Sequence, residues 1–368
     1  MKKPITVVFF IYFLGSGGAG RTFLNILNNI DQDKFRPVLV TCNYEGSYEP
    51  FLNKNIKFIK LDTKRLRKSI LPLAKIIRKE QADVVFSTIP NYNVIAILAR
   101  LLSFTRAKNV IREAAFLGGD RKTDAKLKVY GLFYRFSTKV IALSNGVKNN
   151  LIRRYGVNKK KVQVIYNPID TKSIHGKMKE NIEHAFLTNG KKTIVTAGRL
   201  VEDKDQQTLI RSFALLAAKV DAQLLILGEG PLEEKLKEQA MRLGIQDRVH
   251  LVGFQENPYA FFHRADLFVL TSKREGFGHV LAEALATGVP IVSTKCEPGA
   301  TEVLEDGKYA KLVPIGNAED LAIAMEEILM LPDEERKAII EKGYERLIDF
   351  DVHKIVKQYE EVYKEAIK

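Results

Sequence analysis

The chain repeats one alternation twice. Short apolar, β-branched runs at 6–13, 37–42, 56–61, 83–88, 109–112 and 140–143 are separated by stretches with helical patterning, and 162–170 closes the series with a strand and a proline turn. A polar stretch, 171–192, follows. A second series then opens, with strands at 193–197, 223–227, 249–252, 265–270 and 311–313 and helices at 206–219 and 231–243 among them. Strands that alternate with helices pair in parallel, because each crossover returns the chain to the same sheet edge. The pattern therefore predicts two Rossmann-like α/β domains, 1–170 and 171–350, with 171–192 opening the second as a linker. Residues 351–368 form a last helix with apolar positions at Ile355, Val356, Tyr359, Val362 and Tyr363.

Length supports this division, since 368 residues with 46% apolar content can fill two cores. The apolar run 5–14 is about half of the roughly 18–20 residues that span a bilayer, and it enters a glycine loop as a strand would. Cys42 and Cys296 stand far apart, with no Cys-x-x-Cys or metal-ligand spacing, so a disulfide framework and a zinc site are both unsupported. The expected compartment is reducing cytosol. Charge is divided unevenly: residues 1–170 carry 31 Lys and Arg against 11 Asp and Glu, and residues 171–368 carry 27 against 33.

Three motifs sit at strand ends, where α/β sheets hold ligands. Gly15-Ser16-Gly17-Gly18-Ala19-Gly20-Arg21 follows the first strand and precedes an apolar helix. Its glycines allow backbone N–H groups to approach a phosphate closely. It lacks the Gly-Lys-Ser/Thr of a Walker loop. It does satisfy Gly15-x-Gly17-x-x-Gly20, a dinucleotide pattern, but no acidic residue closes the next strand at Thr41-Cys42-Asn43. Arg199 and Lys204 follow the first strand of the second series, and two cations there suit a diphosphate. Glu275-Gly276-Phe277-Gly278 and Glu283 place one carboxylate at a glycine turn and another inside the helix that follows, a setting for an anionic ligand bearing hydroxyls.

The order of these words carries a resemblance. Glu275 and Glu283 with seven residues between them, preceded by Ser272 and followed by Gly288-Val289-Pro290, Glu297-Pro298-Gly299 and Glu302 to Gly307, resemble glycosyltransferase family 4. That likeness implies a GT-B fold of two Rossmann-like domains facing a central cleft, with the last helix crossing back to the N-terminal domain. It implies an acceptor-binding first domain, a donor-binding second domain, and transfer with retention from a nucleoside diphosphate sugar. UDP is favoured on family frequency. Carried over to this chain, Arg199 and Lys204 hold the pyrophosphate, and Gly17 and Gly18 cap it. Gly253 and Phe254 grip the base, Glu275 lies near the sugar ring beside Gly276, Phe277 and Gly278, and Glu283 binds the ribose. The expected product is a cell-surface polysaccharide or glycoconjugate, made on a glycan acceptor that is lipid-linked.

One departure concerns the strand end near 112, where many members carry a His and this chain reads Arg112-Glu113-Ala114. Glu113, Ser87 and Asn91 are the expected acceptor-side residues, with helix capping as the bland alternative for Ser87 and Asn91. Asp203-x-Asp205, Asp31-x-Asp33 and Asp349-x-Asp351 mimic metal-binding pairs, but none directly closes an apolar strand, so metal-independent catalysis is expected. Lys60, Lys64, Arg65, Arg67, Lys68, Lys75, Arg78 and Lys79, mixed with Leu66, Ile70, Leu71, Leu73, Ile76 and Ile77, suggest a surface for anionic lipid and a place at the inner face of the cell membrane, with a merely solvated basic face as the alternative. No nucleic-acid partner is expected, for want of any helix-turn-helix, zinc or aromatic RNA-binding signature. A sugar-nucleotide epimerase and a nucleotide-regulated, non-catalytic binding protein are the competing readings.

Overall fold

The computed structural model describes residues 3–15, 17–182 and 190–368. Two compact units divide it: Met1–Pro168 with Asp351–Lys368, and Ile169–Phe350.

The first unit holds a seven-stranded sheet of β1 (Ile5–Phe10), β2 (Phe35–Thr41), β3 (Lys57–Lys60), β4 (Val84–Thr88), β5 (Lys108–Glu113), β6 (Lys139–Ala142) and β7 (Val162–Val164). Their order is β3-β2-β1-β4-β5-β6-β7, and every pair is parallel. Both faces of this sheet are covered, and the strands show why. Val7 and Phe9 point into one buried cluster and Val8 and Phe10 into another, so β1 reads as a continuous apolar run instead of an alternating one. The terminal helix Val352–Ile367, capped by Asp351 accepting from Lys354 N at 2.9 Å, covers the first of these faces. Its Tyr359 and Tyr363 meet Phe86 edge-on, with centroids 5.6 Å apart.

The second unit holds β8 (Lys192–Ala197), β9 (Ala222–Leu227), β10 (Val249–Gly253), β11 (Leu267–Leu270), β12 (Ile291–Thr294) and β13 (Lys311–Val313) in the order β10-β9-β8-β11-β12-β13, again all parallel. The reversal of direction between β8 and β11 is a topological switch point, which leaves a crevice outside the carboxyl ends of those two strands.

The stretch 171–192 is not simply a linker. Thr171–Lys177 forms a helix of the second unit, capped by Asp170 accepting from Ser173 N at 2.9 Å. Its polar composition hid it, because its hold is tertiary: Ile174 is buried and Asn257 Nδ2 donates to Lys177 O at 2.9 Å. Part of that expectation, 183–189, lies outside the described residues, as does Ser16 of the glycine loop.

Candidate active site

The switch point of the second unit gathers one of the sequence-predicted groups. After β8 the chain turns through Gly198 and Arg199. It packs there so closely on the exit of β9 that a Cβ on Gly228 (φ +131°) would stand 2.1 Å from Gly198 O. A short turn, Glu202–Lys204, then leads into the helix Gln206–Ala217 through Asp205. The backbone of this turn is fixed from three sides: Gln206 Nε2 donates to Arg199 O at 3.0 Å, Thr271 Oγ1 donates to Lys204 O at 2.9 Å, and Lys273 N donates to Asp203 O at 2.8 Å. Arg199 keeps an exposed side chain.

Lys204 Nζ pairs with Glu275 Oε1, which also accepts from Ser272 Oγ at 2.8 Å. Glu275 is seated against Gly299: the backbone oxygen of Glu275 accepts from Gly299 N at 2.9 Å, and a Cβ on Gly299 would lie 2.6 Å from that of Glu275. Gly276 leads to Phe277, which is buried and packs edge-on against Phe350 at 5.2 Å, so its ring anchors the turn to the core. Gly278 takes the left-handed conformation (φ +77°) and opens the helix His279–Thr287, directing its N-terminus toward the same turn.

Glu283, one turn into that helix, is buried and accepts from the Tyr259 hydroxyl at 2.8 Å, with His279 Nε2 at 3.6 Å from the same oxygen. On the far side of β8, Gly253 ends β10 with φ +76° and nothing within 4 Å of where its Cβ would be. Phe254 follows with its ring exposed and its N–H donating to Glu229 Oε1 at 3.4 Å.

The first unit carries the remaining expected residues. Gly17 (φ +122°) precedes the helix Gly18–Asn29; both glycines are exposed, while Gly20 is pressed so close to Gly15 O that a Cβ would lie 2.1 Å away. Glu113, the last residue of β5, is 0% exposed. Its carboxylate accepts from the Tyr134 hydroxyl at 2.9 Å, from Ala114 N at 3.2 Å and from Ala115 N at 3.4 Å, and burial pushes its carboxyl up to about 7. Ser87 is fully buried too. Its hydroxyl donates to Asn93 Oδ1 at 2.8 Å, and Asn93 Nδ2 reaches both Arg112 O and the Tyr134 hydroxyl. Ser87 is thus drawn into the support of Glu113 through Asn93 and Tyr134, and its side chain offers no exposed hydroxyl. Asn91 is exposed and accepts from Tyr130.

Sequence reasoning assigned no part to Tyr259 or Tyr134. Tyr259 and Tyr134 lie 24 and 21 residues from the carboxylates they serve, so only tertiary packing reveals them. Ser272 was legible in principle, standing three residues before Glu275 at the end of β11. Among the described residues no group of three or more His, Cys, Asp or Glu side chains is arranged to hold a metal ion, and Asp205 accepts instead from Thr208 Oγ1 at 2.8 Å. The basic stretch 60–79 turns its apolar half inward, with Leu73, Ala74 and Ile77 in the core and Lys75, Arg78 and Lys79 exposed. Among the described residues no helix is long and apolar enough to cross a membrane.

Comparison with known proteins decides the family. Residues 177–346 match the glycosyl transferases group 1 family, and residues 16–173 match Glycosyltransferase Family 4. An N-acetylgalactosamine-N,N'-diacetylbacillosaminyl-diphospho-undecaprenol 4-alpha-N-acetylgalactosaminyltransferase from Campylobacter jejuni is 31% identical over 366 residues, spanning 95% of this chain and 96% of its own. The chain belongs to glycosyltransferase family 4. Another family relative, the capsular polysaccharide biosynthesis glycosyltransferase CapM of Staphylococcus aureus, is 26% identical, covering 82% of this chain and 81% of its own. Among solved structures, Anabaena HepE in complex with UDP-glucose superposes with a TM-score of 0.84 at 22% identity, covering 98% of this chain and all of that one. A Rickettsia africae glycosyltransferase gives 0.82 at 20% identity with full coverage of both chains. The fold is GT-B, and this family 4 chain is a glycosyltransferase.

Proposed function

We propose that this enzyme transfers a hexose or N-acetylhexosamine, with retention, from a UDP-sugar to a lipid-linked glycan in cell-surface polysaccharide or glycoconjugate synthesis, at the inner face of the membrane. The observation that carries the donor half is the Lys204–Glu275–Ser272 cluster at the switch point, with exposed Arg199 preceding it and the Gly278 helix start following it. The acceptor half is supported by the near-full-length relative whose name specifies a diphospho-undecaprenol-linked acceptor.

Cleavage of the bond from the anomeric carbon to the diphosphate puts negative charge on the leaving oxygen and positive character on the ring. Arg199 and Lys204 act on the first, aided by the backbone N–H group at Gly278, so the proposed reaction needs no metal, and Gly17 and Gly18 are the phosphate-capping glycines that the family resemblance implies. Glu275 stabilises the second. The acceptor oxygen attacks from the face the diphosphate leaves, and its proton passes to the departing phosphate oxygen. Gly253 and Phe254 receive the base, and Glu283, steadied by Tyr259, receives the ribose. On the acceptor side, Glu113 fixes the chain at Ala114 and Ala115, Ser87 supports it through Asn93, and Asn91 faces the acceptor.

The test is transfer from a panel of labelled UDP- and GDP-sugars to a polyprenyl-diphosphate-linked glycan, with chelator present, and with the product's anomeric configuration read by NMR. Retention from one UDP-sugar, lost in Glu275→Ala, is expected. Inversion, use of GDP-sugars alone, or conversion of the donor into an epimer with no transfer would each overturn the reading.

A further inference from the structure

We infer that the end of the first unit opposite its glycine loop is a docking surface for an anionic phospholipid bilayer, entered by Phe104 and Phe136. Phe104, in the turn after the helix Pro90–Leu102, is 83% exposed with φ +52°. The helix Arg121–Tyr134 and its end present Val129, Leu132 and Phe136 at 50%, 53% and 57% exposure. Their spacing of three and four residues places them on one helical face, an apolar stripe turned away from the core.

These elements form one surface. Arg100 Nη2 donates to Phe136 O at 2.8 Å, Arg78 Nε donates to Ser103 O at 3.0 Å beside Phe104, and Lys161 Nζ donates to Arg135 O at 2.8 Å. They lie at the amino ends of β5, β6 and β7, whereas Glu113 ends β5 at its other edge. The surface is thus separate from the candidate active site.

Charge identifies the occupant. Residues 84–111 contain three Lys or Arg and no Asp or Glu, and residues 125–169 contain ten and none. Carboxylates at its margin are engaged: Glu80 pairs with Arg36 and Lys57, Glu365 with Lys139 and Asp124 with Arg154, and Asp83 Oδ2 accepts from Thr6 N at 2.8 Å. Exposed apolar side chains ringed by cations, with no free carboxylate among them, suit headgroup phosphates above and acyl chains beneath. This inference rests on the peripheral-membrane reading above and relocates the contact from the basic stretch 60–79, where Leu73, Ala74 and Ile77 are buried and Leu71 is the one exposed large apolar side chain, to a face that presents four.

The test is sedimentation of the full chain with phosphatidylglycerol/phosphatidylcholine vesicles, for wild type, for Phe104→Ser/Leu132→Ser/Phe136→Ser, and for charge reversal at Arg65, Arg67 and Lys68. All three Ser substitutions fall at exposed positions; an unchanged melting temperature verifies folding, and the single Phe104→Ser serves if the triple variant is unstable. At least a tenfold loss of partitioning in the triple variant is expected, with wild-type binding also weakened by 0.5 M salt, about five times the ionic strength at which the screening length is ~10 Å. If the triple variant binds like wild type while the charge reversal abolishes binding, the location is wrong and the membrane reading stands. If wild type ignores the vesicles, the membrane reading itself falls. A wild-type dimer that the triple variant converts to monomer would assign the face to a second copy and overturn the inference.

Discussion

Two carboxylates at strand ends, Glu275 after β11 and Glu113 at the end of β5, have opposite surroundings. Glu275 is only partly buried and is paired with the ammonium of Lys204. Glu113 is sealed and bonded only to neutral donors, with its acidity weakened to about 7. A cation is adjacent in sequence to Glu113, but strand alternation sends it elsewhere. Arg112 projects from the other face of β5 to donate to Thr88 Oγ1 at 3.0 Å and to Asn167 Oδ1. Burial without a bonded cation raises the Glu113 carboxyl, whereas at Glu275 tertiary structure brings a cation into direct contact with the carboxylate. The first arrangement suits a fixed support, and the second suits chemistry.

The largest effects should therefore fall on the paired carboxylate. Glu275→Ala and Lys204→Ala should each lower kcat by ~10²–10³-fold, the usual effect of removing one group that stabilises developing charge. Combining the two should cost less than the product of the single effects, because each leaves the other unpartnered; full multiplicativity in transfer assays would deny that they act as a unit. Glu283→Ala should weaken nucleotide binding by ~10–100-fold, consistent with ~1.5–3 kcal/mol for a hydrogen bond to a charged group, as measured by calorimetry. Tyr259→Phe, which deprives Glu283 of one donor, should raise donor KM several-fold at nearly constant kcat. A pure kcat defect would show that Tyr259 serves something other than ribose binding.

Glu113 should respond to pH, not chiefly in turnover. Its carboxyl is raised in the folded state above an ordinary value near 4.5, so the fold holds the proton more tightly than the unfolded chain does. Its contribution is then fully present below about 4.5 and is lost as pH rises through about 7. Glu113→Gln, which cannot ionise, should flatten that part of the stability profile and melt no lower than wild type at pH 8. A variant that keeps the wild-type slope between pH 5 and 7.5 would place the titration elsewhere.

Much of this was legible in the chain. Apolar β-branched runs located the strands because parallel strands covered on both faces have no polar alternation to blur them; Lys311–Val313 coincides with its expected bounds, and the helix Val352–Ile367 lies within the expected 351–368. The glycine at 278 was readable because a left-handed turn imposes its residue type, and the carboxylates at 275 and 283 because their spacing and the words around them resemble family 4. What escaped was whatever depends on packing between distant segments: the partnership of Tyr259 with Glu283, the inward course of Ser87, the helix Thr171–Lys177, and the exposure of Phe104 and Phe136. An apolar residue in a helix announces burial, and only the neighbours that fail to cover it reveal a surface.

The most direct test of the contrast is calorimetric titration of UDP into wild type, Lys204→Met and Glu113→Gln. The account predicts UDP binding that falls at least tenfold in Lys204→Met and is unchanged in Glu113→Gln. Equal affinity in wild type and Lys204→Met, or a loss confined to Glu113→Gln, would contradict the assignment of the Lys204–Glu275 cluster to the donor.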